Sequence, residues 1–127
     1  MSSSYGLIEV SGIVAAINSL DAMCKAADVS LVTWERKLGG RLVTIIVEGD
    51  VSDVKSAVEA ADRICRENAH ILASSGIIAA PCQEIRRLVA RSASRLQKKR
   101  EDVPELLESD GKEKAGQKGN EEKAEKE

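Results

Sequence analysis

The sequence predicts an α+β sandwich: a four-stranded antiparallel sheet with helices on one face, followed by a C-terminal helix and a disordered, charged tail. Three observations lead there. Strand-like and helix-like segments follow one another in the order β-α-β-β-α-β-α. Two of the helical segments carry strong apolar stripes that a single sheet face can bury together. A glycine pair, Gly39 and Gly40, separates two β-branched runs in the manner of a hairpin.

The first strand reads from about Tyr5 to Val10 in "YGLIEVSG" and ends at Ser11 and Gly12. From Ile13 to Ala27, apolar residues recur at Ile13, Ala16, Ile17, Leu20, Met23, Cys24 and Ala27, the spacing of an amphipathic helix. Asp28 breaks it. "VSLVTWERK" and "RLVTIIVEG" are rich in β-branched residues and form the second and third strands. Asp50 stands where a short side-chain oxygen can cap the next helix, from about Val51 to Asn68, with a stripe at Val54, Ala57, Val58, Ala61, Ile64 and Cys65. "HILASSGIIAA" reads as a fourth strand interrupted at Ser74, Ser75 and Gly76 and stopped by Pro81. A last helix, about Gln83 to Lys98, sets Ile85, Leu88, Val89 and Leu96 on one side, with Ser92 completing a weaker stripe. This order is that of a ferredoxin-like fold, the two stronger stripes lying on one sheet face.

A chain of 127 residues has room for one domain with a modest core. Of its 19 basic and 21 acidic residues, the segment 99–127 holds 7 and 10, which leaves a nearly neutral body of 12 and 11. That segment has almost no large apolar residue after Leu107, so it cannot bury enough surface to offset its ordering entropy. The expected division is a disordered N-terminus over 1–4, a folded domain over 5–98 and a disordered charged tail over 99–127. With one Trp, one Tyr and no Phe, the core is built from Ala, Val, Ile and Leu, and aromatic platforms for bases or sugars are lacking.

Catalysis finds no support in the residues. His70 is the single histidine and has no Cys, Asp or Glu at ligand spacing, so a strand-edge role is expected rather than zinc, and neither metal nor cofactor is implied. Glu35 and Glu48 carry no mark of an acid–base pair. "KLGGR" lacks the spacing and following helix of a phosphate loop. Cys24, Cys65 and Cys82 are odd in number and share no C-x-x-C spacing, and no hydrophobic leader follows "MSSSYGLIEV", so a reduced, cytoplasmic protein is expected. Cys82, at a helix start, is the one thiol whose position favours reactivity, although no base stands near it in sequence. No apolar run is long enough to span a membrane. The last helix is strongly basic, with Arg86, Arg87, Arg91, Arg95, Lys98, Lys99 and Arg100, which keeps a cytosolic nucleic-acid-binding domain as the rival reading. A solvated helix face beside an acidic tail is the favoured account of that charge.

Two stretches, "GLIEVSGIVAAINSLDAMCKAADVSLV" and "KLGGRLVTIIVEGDVSDVKSAVEAA", resemble the bacterial microcompartment shell domain, the single-domain subunit that tiles polyhedral shells around carboxysome and metabolosome enzymes. The resemblance runs from about Tyr5 to Cys82. It implies a cyclic homohexamer shaped as a flat tile that packs beside other shell proteins in the bacterial cytoplasm, with no active site. It also implies that Lys37, Leu38, Gly39, Gly40 and Arg41 meet their copies at the sixfold axis and line a pore for small polar metabolites. Physical reasoning agrees with that assignment. Six backbones converge on an axis only where side chains are small, as at Gly39 and Gly40, and Lys37 or Arg41 would make the constriction electropositive.

Departures from the family pattern bear on assembly. Between "SLV" and "LVT" the sequence has one residue more than the usual family loop. At the tile edge the family commonly places a lysine matching Lys25, an arginine in a segment resembling P-R-P-H, and a nearby asparagine. Lys25 is present, whereas the arginine aligns with Ala80, the histidine with Cys82 and the asparagine with Asp28. Loss of a guanidinium that makes several donor contacts is expected to weaken lateral packing. The tail, longer than in the simplest members, is a candidate tether for encapsulated enzymes, with "DVPELLES" able to form a helical turn on binding.

Overall fold

A computed structural model describes residues 3–36 and 40–101 of the chain. Seven elements follow in order: β1 (Ser4–Ser11), α1 (Ile13–Ala26), β2 (Ser30–Arg36), β3 (Leu42–Gly49), α2 (Val51–Glu67), β4 (Leu72–Ile78) and α3 (Gln83–Glu101). The sheet, its core and α3 as far as Leu96 belong to one compact unit.

The strands make one sheet in the order β2-β3-β1-β4, every neighbour antiparallel. This is the ferredoxin-like arrangement expected from the element order. Two ladders carry irregularities. Leu31 and Thr33 oppose the adjacent Val47 and Ile46, so β2 holds one extra residue there, and a second shift lies between Glu9 and Val10 in the β1–β4 pairing. β4 is continuous through Ser74, Ser75 and Gly76, contrary to the expected interruption. Hydrogen bonding to β1 holds these weak strand formers in place, and as an edge strand β4 is mostly exposed.

Strand alternation divides the sheet into two faces. Ile8, Val10, Val43, Ile45 and Val47 point toward α1 and α2 and form the main core with Ala15, Ala16, Met23, Ala57, Val58, Ala61 and Cys65. Small residues let α2 lie close to the strands. A Cβ on Gly6 would come within 2.8 Å of Val54 Cγ1 and 3.1 Å of Val58 Cγ2, so only glycine fits without displacing that helix. Tyr5, Ile46 and Val89 are buried on the opposite face, with Leu7, Val32, Ile78 and Ile85 packed around them. Thus α3 takes the face that α1 and α2 leave, crossing diagonally from the end of β4 to edge strand β2.

Several helix details differ from expectation. On α1 the buried residues are Ala15, Ala16, Ser19 and Met23, while Ile17 is 56% exposed and Cys24 is exposed. Apolar residues cover well over half of the helix circumference, with Asn18, Asp21 and Lys25 confined to one narrow side, so the phase of its stripe is only loosely set. Ser19 is drawn inward because its hydroxyl meets Cys65 Sγ at 3.3 Å. On α3, Val89 and Ser92 are buried, and Leu88 points to solvent. Asp50 occupies the N-cap of α2 but makes no side-chain cap bond; its carbonyl accepts from Val54 N at 2.9 Å.

Candidate functional site

The register sorts the expected site residues into two groups at opposite ends of the sheet. At one end Ser11 pairs with Leu42 and Arg36 with Val43, and the β2–β3 connection closes beyond them. Of the five residues expected at a pore, Lys37, Leu38 and Gly39 lie outside the described residues. Gly40 and Arg41 are exposed at the entry to β3. The Arg41 carbonyl accepts from Gly12 N at 2.7 Å, which fastens this end of the connection to the start of α1 and leaves the guanidinium in solvent.

At the other end Ser4 pairs with Gly49, Tyr5 with Ile78 and Ser30 with Glu48. The three expected edge residues gather there. Lys25 is exposed in the last turn of α1 and pairs with Asp21 at 2.8 Å. Asp28 is exposed in the α1–β2 connection, its carbonyl packed over Gly49. Ala80 is exposed just beyond β4; its neighbour Ala79 accepts from Ser4 Oγ at 2.6 Å, and Pro81 is buried, so the chain is held on both sides of it.

The residues weighed for other chemistry do not converge. Glu35 faces Thr44 and Glu48 faces Ser30, which separates the two carboxylates along the hairpin. His70 meets Asn18, with its Nε2 3.1 Å from the amide nitrogen. Among the described residues no three of His, Cys, Asp and Glu are grouped to hold a metal, and no helix is long and apolar enough to cross a membrane. The basic helix is partly occupied with its own chain. Arg86 donates to the Ser3 carbonyl at 3.2 Å and lies over the Tyr5 ring at 5.9 Å, Arg87 pairs with Glu84 at 3.6 Å, and Arg95 pairs with Glu35 at 3.2 Å. Three guanidinium groups are thereby drawn from the stripe that phosphate would need.

One residue set went unrecognised in the sequence. Thr33 Oγ1 and Ser92 Oγ meet at 2.8 Å in a buried contact, and the Ser92 hydroxyl donates to Glu35 Oε1, which Arg95 also approaches. Strand alternation puts Thr33 and Glu35 on one face, and helical spacing puts Ser92 and Arg95 on one side of α3. The pairing was legible only once α3 was known to cover that face.

A family model described as the BMC domain matches residues 4–81, from the start of β1 to the residue before Cys82. The chain belongs to the BMC-domain family. Among curated relatives, the bacterial microcompartment shell protein PduA of Salmonella typhimurium is 38% identical over 91 residues, covering 72% of this chain and 95% of that protein. The carboxysome shell protein CcmK1 of a Synechocystis strain is 43% identical over 86 residues, covering 67% of this chain and 77% of that protein. The crystal structure of a microcompartment protein from Desulfitobacterium hafniense DCB superposes with a TM-score of 0.62 at 27% identity, over 68% of this chain and 48% of that one. The match spans about half of that longer chain. These BMC-domain relatives are shell proteins by name, so a structural role in a shell, rather than catalysis, is what membership supports.

Proposed function

We propose that this BMC-domain chain is a shell subunit of a bacterial microcompartment in the cytoplasm, assembling as a cyclic homohexamer that tiles beside other shell proteins. The connection 37–41 faces the sixfold axis and passes small polar metabolites, while Lys25, Asp28 and Ala80 lie along the tile edge. The observation that carries this reading is the separation of those two groups to opposite ends of one sheet. A subunit arranged radially needs that polarity, with one end at an axis and the other at a rim.

Self-association also has physical support. Val14, Ile17 and Ile71 are 63%, 56% and 65% exposed in the isolated chain, an apolar surface near the loop end that a neighbouring copy would cover. Edge strands β2 and β4 leave backbone groups open. A head-to-tail contact between copies closes into a ring when its rotation is a whole fraction of a turn. The proposed shell domain is 5–98, with 99–127 as a tether for encapsulated enzymes; helix α3 runs to Glu101, and residues 102–127 lie outside the described residues.

Negative-stain imaging of the purified chain tests the proposal. Hexagonal rings with a central stain-filled dimple are expected. A monomer that persists at high concentration would overturn it.

A further inference from the structure

We propose that α3 is a releasable cover: it lifts from the sheet as a unit while the sheet, α1 and α2 stay folded, and the carboxylate of Glu35 is the latch that holds it down. The inference does not depend on the ring, because it concerns one chain.

The core is divided in a way that permits this motion. The main apolar cluster draws its buried residues from β1, β3, α1 and α2 and contains no side chain from α3. Helix α3 gives the second cluster one buried apolar residue, Val89, and one half-buried one, Ile85, while Leu88 is 61% exposed. Its backbone stands off the strands farther than that of α2 does. The backbone ladders run only between strands, so lifting α3 breaks no ladder hydrogen bond. The BMC-domain match also ends at Pro81, before α3 begins. The Ala79 carbonyl is held by Ser4 and Pro81 is buried, so both stay with the sheet, and Cys82, exposed and just ahead of α3, is the pivot.

Most of what fastens α3 is polar. Ser92 bridges Thr33 and Glu35, Arg95 reaches the same Glu35 oxygen at 3.2 Å, and Arg86 reaches the Ser3 carbonyl. Water competes for all of these groups once the helix moves, so each tie contributes little net stability while fixing the docked position. Glu35 is the group on which two ties converge. Losing its charge weakens both at once. Release uncovers Tyr5, Leu7, Val32, Ile46 and Ile78, an apolar strip continuous with two open depressions of about 370 and 380 Å³ that share Glu9 and Thr44.

Hydrogen–deuterium exchange on the full chain, read over residues 85–95 to avoid the fraying end of the helix, tests the cover and the latch separately. The α3 amides should exchange at least about tenfold faster than those of α2 in the unaltered chain. Glu35→Gln, and independently Ser92→Ala, should accelerate α3 severalfold further, toward about tenfold for loss of charge-assisted bonds, with α1 and α2 unchanged. An oxidised Thr33→Cys, Ser92→Cys pair, in a background carrying Cys24→Ser and Cys82→Ser, should slow α3 to the rate of α2. Equal protection of α3 and α2 in the unaltered chain would overturn the cover. An α3 rate unmoved by both Glu35→Gln and Ser92→Ala would overturn the latch.

Discussion

The carbonyl oxygen of Asp28 lies 2.9 Å from the point where a Cβ on Gly49 would sit. Gly49 ends β3, and Asp28 lies in the middle of the connection that brings the chain from α1 into β2, so the contact sets how closely that connection hugs the sheet. Backbone cannot rotate away as a side chain does. Gly49→Ala is therefore expected to push the connection outward and to destabilise the fold by about 1–3 kcal/mol. A lower denaturation midpoint with an unchanged slope in urea is the expected observation. A midpoint equal to that of the unaltered chain would show that the connection gives way freely.

Gly6 makes a second close approach, this time against side chains. A Cβ there meets Val54 Cγ1 at 2.8 Å and Val47 Cγ2 at 3.2 Å, and Val54 is wholly buried. Gly6→Ala is expected to destabilise by about 1–3 kcal/mol through overpacking. Val54→Ala opens space at the same point, so the double variant should be less destabilised than the sum of the two by about 1 kcal/mol. Strict additivity would mean that α2 shifts as a rigid body instead.

The contrast between α1 and α2 shows what a sequence pattern can resolve. On α2 the stripe at Val54, Ala57, Val58, Ala61 and Cys65 is buried as expected, because the other side carries Lys55, Ser56, Glu59 and Arg63 and leaves one phase possible. On α1, Val14 and Ile17 are as apolar as the residues that become buried, so periodicity alone does not choose between inward and outward. The fold's order and its antiparallel pairing were legible because hairpin and helix signals are local. The side of the sheet taken by α3 was not, since its anchor is a polar contact between Ser92 and residues nearly sixty positions away on β2. The candidate pore is harder still for a pattern to reach: Gly40 and Arg41 in one chain are merely an exposed connection, and their meaning as a constriction requires six copies.

Arg41 gives the pore reading its own test. The guanidinium is exposed and its backbone carbonyl, not its side chain, makes the bond to Gly12, so Arg41→Glu should leave the fold and the ring intact. Six reversed charges at an axis should then lower the passage of small anions into assembled shells by roughly tenfold at low ionic strength, with less effect in high salt. Stopped-flow uptake of an anionic dye or substrate would measure it. Rings that form normally but pass anions at the same rate would remove Arg41 from the list of selectors.

Ala80 tests the edge. It stands exposed between a backbone fixed by Ser4 and the buried ring of Pro81, so a longer side chain there would project from a held position without disturbing the core. On the proposed tile edge, Ala80 presents only a methyl group and no guanidinium donor to backbone acceptors of a neighbouring copy. Ala80→Arg should restore a planar group with five donors and convert dispersed rings into extended sheets at lower protein concentration. Ala80→Lys supplies the same charge without the fork, so it should fall between the two. Sedimentation and electron microscopy across a concentration series would rank the three proteins. Equal assembly of arginine and lysine variants would assign the effect to charge alone, and poorer assembly of both would place Ala80 away from the tile contact.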